Sequence, residues 1–197
     1  FICFYSTTLY AKVEIQNYKN HSWDNSWNES IAKELDQQLE TVMMSGQIDA
    51  DDLKQLDCPG YNKLTDNDLK VDFWVVFFSG LTRAESAFNT KARSKHGNLG
   101  LLQFAKATAR TQCGLNVEEI ADPDKHLRCG VKLMSWQLEG APASKGKQRR
   151  PDLRGQLFGK RILLWGPLRQ NDKSGRALLV GWFKKHLDQL PFCKESV

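Results

Sequence analysis

From residue 29 onward, apolar positions recur at the spacing of one helical face. Ile31, Leu35, Leu39, Val42 and Met43 line a stripe across residues 29–44, and Gly46 stops the run. Asp49 can cap a second, short helix whose Leu53 and Leu56 share a face, and Cys58-Pro59-Gly60-Tyr61 reads as a turn. Thr65, with Asp68 three positions on, predicts a capping box in which Asp replaces the usual Glu, and so the start of a central helix. Its next segment, Phe73-Trp74-Val75-Val76-Phe77-Phe78, is apolar on nearly every side. Periodicity alone would also allow a buried strand there; the acids before it and Ala84-Glu85 after it favour a helix through the middle of the domain. Gly100-Leu101-Leu102-Gln103 is expected to begin the next helix, and Asp122-Pro123-Asp124 to open another with Leu127, Val131, Met134 and Leu138 buried. Residues 155–165 and 174–187 supply two more. The pattern predicts a mainly α protein, with an arm over residues 1–28 and a single domain over residues 29–197.

Two features of the arm leave alternatives open. Residues 1–11 read as the tail of an apolar secretion segment or as an ordinary N-terminal strand, and the segment is too short to span a bilayer. Trp23 and Trp27, four apart, would anchor the arm to the core or stack on sugar rings, the first being preferred.

Composition narrows the class. A chain of 197 residues with 41% hydrophobic content can bury a sizeable core, and no run approaches the ~20 apolar residues of a membrane helix. The formal charge of +5 is localised: residues 82–112 carry Arg83, Lys91, Arg93, Lys95, Lys106 and Arg110 against one acid, Glu85, and the remainder is balanced. A positive field confined in this way suits a polyanionic partner. Nucleic acid is disfavoured, because the cations lack the aromatic interleaving of single-strand binding.

Five cysteines without a C-x-x-C pair argue for disulfides in an oxidising compartment. Cys113 with Cys129 is the first expected bridge and Cys58 with Cys193 the second, leaving Cys3. Buried free thiols are the alternative. A zinc set of Cys113, His126 and Cys129 would lack a fourth ligand, and no metal or other cofactor is expected.

One acid stands out chemically. On a helix, Glu85 follows Thr82, Leu81, Phe78 and Phe77 at the positions three, four, seven and eight earlier, so its carboxyl group leaves a largely apolar face near the negative end of the helix dipole. Both influences favour the protonated form, making Glu85 a candidate general acid. Residues 86–117 contain no second Asp or Glu.

Glu85-Ser86-Ala87-Phe88-Asn89, then Ala92, Ser94, Gly97 and Gly100-Leu101-Leu102-Gln103, resemble the lytic transglycosylase catalytic domain of the lysozyme-like superfamily in order and spacing. The resemblance implies a lysozyme-like helical domain with a substrate groove. It further implies cleavage of the β-1,4 bond between N-acetylmuramic acid (MurNAc) and N-acetylglucosamine (GlcNAc) in peptidoglycan, with Glu85 as acid and base. Ser94, Gly100, Leu102 and Gln103 are implied substrate contacts. The family's Tyr-Asn motif is missing, since Tyr5, Tyr10, Tyr18 and Tyr61 all precede Glu85. Trp165, in Leu163-Leu164-Trp165-Gly166, is the best-placed substitute. A lone acid suits formation of a 1,6-anhydro sugar; Asp152 or Asp172, folding into the cleft to position water, would give a hydrolytic lysozyme instead. A third reading is an inactive glycan-binding module. A monomer is expected, acting on glycan strands in a periplasmic or secreted location in a bacterial or phage setting.

Overall fold

A computed structural model describes residues 8–16, 22–140, 150–159 and 164–194. The described residues form eight α-helices and several 3-10 turns, with isolated β-bridges but no strands: α1 Trp27–Leu35, α2 Val42–Ser45, α3 Ala50–Gln55, α4 Asn67–Ser86, α5 Lys106–Cys113, α6 Val117–Ile120, α7 Pro123–Leu138 and α8 Lys173–Lys184. The protein is mainly α, as its periodicity predicts.

Helix α4 is the axis. Every residue from Lys70 to Thr82 is buried, and α1 and α8 pack on it, α7 in turn lying on α1. Phe73, Trp74, Phe77 and Phe78 meet Tyr61, Phe183 and Phe158 in a cluster of edge and tilted ring contacts, each ring contributing about 1.5–3 kcal/mol by leaving water. Gly80 lets α8 approach: a Cβ there would lie 3.1 Å from the Leu179 carbonyl oxygen and 3.3 Å from the Trp182 ring. Trp182 Nε1 donates to Ser79 Oγ at 2.9 Å, so the crossing carries no orphaned indole.

The cap of α4 is Asp66 rather than Thr65; its side chain accepts from the Asp68 and Leu69 amides. An ionised acceptor beside the helix N-terminus also gains from the dipole. The expected continuous helix over residues 29–44 is broken into α1, a 3-10 turn and α2. Leu39 is exposed, and Thr41, extended, starts α2 while the Val42 amide donates to Glu139 Oε1 at 2.8 Å. Residues 155–159 are not helical; Asp52 accepts both the Leu157 and Phe158 amides there and fixes them to α3. Residues 160–163, like 1–7 and 141–149, lie outside the described residues.

The arm joins the same core. Val13, Ile15 and Trp23 are buried, and Asp72 on α4 accepts the Lys12 and Val13 amides at 2.7 and 3.1 Å. Trp23 donates to Asn28 Oδ1 and meets Trp27 edge-on, so this pair anchors the arm. Two disulfides complete the frame, Cys58–Cys193 and Cys113–Cys129. Both pairings match the sequence reading, and the second uses the two thiols that the zinc set would have needed.

Candidate active site

Glu85 sits in the last turn of α4, where the helix emerges from the core. Ala87 ends it in a left-handed conformation with φ 50°, and Phe88 follows with φ 67°. Two such residues in succession are costly without glycine. The buried Phe88 ring, edge-on to Trp23 and Trp182, is what holds the turn. The chain therefore leaves α4 abruptly, leaving Glu85 at an edge rather than inside a longer helix.

What faces Glu85 comes from the other end of the sequence. The Gly166 amide donates to its carboxylate, and Asp172 and Arg169 flank it electrostatically. A Cβ on Gly166 would lie 2.8 Å from Asp172 Oδ2 and 3.9 Å from Glu85 Oε1. Glycine is thus needed for the two acids to share this approach. Burial is the main influence on Glu85, pushing its pKa up to about 7, and the negative charge of Asp172 adds to it; the Gly166 amide and the Arg169 guanidinium oppose. Near neutral pH the group is divided between proton donor and proton acceptor, the condition a general acid–base needs. Asp172 itself is fixed, since its Oδ1 accepts from the Gly175 amide at 2.9 Å and from Ser174 Oγ at 3.3 Å as the N-cap of α8. Asp152 is exposed and paired with Arg150 instead.

The second wall is residues 89–104, which turn back on themselves through the bridges Arg93–Leu99 and Leu99–Phe104. Residues 100–103 form a turn, not the first turn of a helix; α5 begins only at Lys106. Gln103 is left-handed, φ 51°, and its Nε2 donates to the carbonyls of Gly100 at 2.8 Å and Ala92 at 3.3 Å. Its amide nitrogen thus braces the loop and is not directed at Glu85. Ser94 Oγ accepts the His96 and Asn98 amides, as a turn serine does. Gly100 has φ 73°, and a Cβ there would stand 2.6 Å from the His126 ring, so its close approach is to histidine.

His126 is a residue that sequence reasoning considered only as a metal ligand. Its Nδ1–H donates to the Ile120 carbonyl at 2.8 Å, and its Nε2 accepts the Leu102 amide at 3.0 Å, with Phe104 stacked on the ring at 4.3 Å. Burial pushes its pKa down to about 4, so the neutral ring is kept for these two bonds. On the far side of the same peptide, Trp165 Nε1 donates to the Leu102 carbonyl at 3.0 Å. The side chains of Leu102 and Trp165 are buried and make the frame of the groove rather than its exposed surface. Through them one chain of contacts runs from Glu85 to Gly166, Trp165, Leu102 and Gln103. At its Gly166 end the sequence reading offered Trp165, in Leu163-Leu164-Trp165-Gly166, and Asp172 as one of two distant acids, and gave Gly166 and Arg169 no role.

Residues 67–148 match the family model described as the Transglycosylase SLT domain. Over those 82 of the 197 residues the match supports a lytic transglycosylase catalytic domain of the lysozyme-like superfamily. The transglycosylase match begins with α4 and includes Glu85, the 89–104 wall and α7, but stops before Trp165, Gly166, Arg169 and Asp172. No solved structure matches the chain. The family cleaves glycosidic bonds in peptidoglycan, outside the cytoplasm. Among the described residues, no cluster of three or more His, Cys, Asp or Glu is placed to hold a metal, and no helix is long and apolar enough to cross a membrane.

Proposed function

We propose that this transglycosylase cuts the β-1,4 bond between MurNAc and GlcNAc with Glu85 as its single acid and base, releasing a 1,6-anhydro-MurNAc end. The observation that carries the reading is the Glu85 carboxyl at the exit of α4, held near half-protonation by burial and by Asp172. Protonated Glu85 gives its proton to the glycosidic oxygen as the C1–O bond breaks, and the substrate's acetamido oxygen bonds to C1. The carboxylate then takes the proton of the C6 hydroxyl as O6 displaces the acetamido oxygen, which restores the acid and closes the anhydro ring. Ser94, Gly100, Leu102, Gln103 and Trp165 serve this groove chiefly by fixing its walls, with the exposed edges of Ser94 and Gln103 left to meet sugar. The enzyme works as a monomer in the periplasm or outside the cell, where disulfides persist.

A second reading draws on one observation. Asp172 places a second carboxylate beside the first, and a paired acid is the arrangement with which glycosidases activate water. Product mass decides between them: the anhydro muropeptide is one water lighter than the reducing product of a lysozyme. Glu85→Gln that still binds cell walls but releases nothing supports catalysis; a wild type that binds and never cuts would leave a glycan-binding module.

A further inference from the structure

Two clefts lie side by side around α6, beside the 89–104 wall. The smaller, about 240 Å³, is lined by Lys91, Arg93, Leu99 and Gly100, and the larger, about 700 Å³, by Lys106, Arg110 and Leu115; Val117 and Ile120 belong to both. Lys91, Arg93, Lys106 and Arg110 are exposed, and none of them forms an ion pair among the described residues, in contrast to Lys125, Arg128 and Lys132 nearby on α7. Glu118 is the acid that borders the larger cleft. Val117 is 42% exposed at the ridge between the clefts, an apolar surface set among cations.

The floor is braced by His126. His126 holds the Ile120 carbonyl on one nitrogen and the Leu102 amide on the other, so one buried ring ties the clefts to the Gln103 loop. A ligand that presents carboxylates next to small aliphatic groups fits such a surface, the cations answering the charge and Val117, Leu115 and Ile120 the apolar part. Peptidoglycan offers that combination in its stem peptides.

We propose that the paired cleft around α6 is a binding site for the carboxylate-bearing stem peptides of the strand being cut, so that the enzyme prefers acidic stems over neutral ones. This rests on the reading of the protein as a peptidoglycan-cleaving enzyme. The test compares kcat/KM on glycan strands with free stem carboxylates and on strands whose stem carboxylates have been converted to amides. Wild type is expected to favour the acidic strands by about five-fold or more at low salt, with the preference falling as salt is added. Lys91→Gln/Arg110→Gln should bring that ratio close to one, and Lys91→Arg/Arg110→Lys should retain it. Equal cleavage of both strands by the wild type, or an undiminished ratio in the Gln pair, would overturn the proposal. A wild type that releases no muropeptide from either strand would instead sink the enzymatic reading. Since the substituted side chains are exposed, folding of the variants is expected and is checked by their melting temperatures.

Discussion

Glu85 and Asp172, 87 positions apart in the chain, both bring a carboxylate oxygen to the place where a Cβ on Gly166 would stand, 3.9 and 2.8 Å from it. One acid is the last turn of the buried helix α4 and the other the first cap of α8. Packing of α8 on α4 therefore sets the charge beside Glu85 as well as the core.

If Asp172 helps keep the proton on Glu85, Asp172→Asn should lower the proton affinity of Glu85. Activity that needs the protonated acid falls as pH rises through its pKa, so the basic limb of the pH–rate profile should move to lower pH, by up to about one unit. Asparagine remains a good N-cap, so the melting temperature should change little. A basic limb unmoved in the variant would show that Asp172 acts only as a cap.

Glu85 also burdens the fold. Its pKa is raised from 4.5 to about 7, so its contribution to stability is complete below pH 4.5 and is lost as pH rises through 7. Glu85→Gln should therefore abolish cleavage and raise stability at pH 8, by up to about 3 kcal/mol, with the gain shrinking towards pH 4. Urea unfolding of both proteins at the two pH values measures it.

Gly100→Ala forces a β-carbon against the His126 ring at a positive φ. A loss of about 1–3 kcal/mol is expected, together with a fall in kcat, because the Leu102 peptide and the Gln103 turn hang on that histidine. Thermal melts and wall-digestion rates report the two effects separately.

The Cys58–Cys193 bridge closes a loop of sequence separation 135 and ties the last described turn to the segment before α4. Cys58→Ser/Cys193→Ser should cost about 2–5 kcal/mol. Equal melting temperatures for wild type and variant in a strong reductant, and well-separated ones without it, are the expected pattern.

The sequence by itself determined the helices whose apolar stripes are long, the exit of Glu85 from an apolar face and the concentration of positive charge in residues 82–112, and it offered the two cysteine pairs as first choices that the structure then formed. These are local or pairwise properties, written in spacing and residue type. It placed the cap of α4 one residue early, where Asp66 binds the Asp68 and Leu69 amides, and it joined α1 to α2 and expected helix at residues 100–103 and 155–159, because a helix break, a turn and an irregular segment are chosen by distant partners: Glu139 for the Val42 amide, His126 for Leu102, Asp52 for residues 157 and 158. It singled out Asp172 only as one distant acid among two. Which of them stands beside Glu85 was decided by the tertiary structure alone, since electrostatic coupling depends on the distance between charges in space, and only the packing of α8 on α4 makes that distance short.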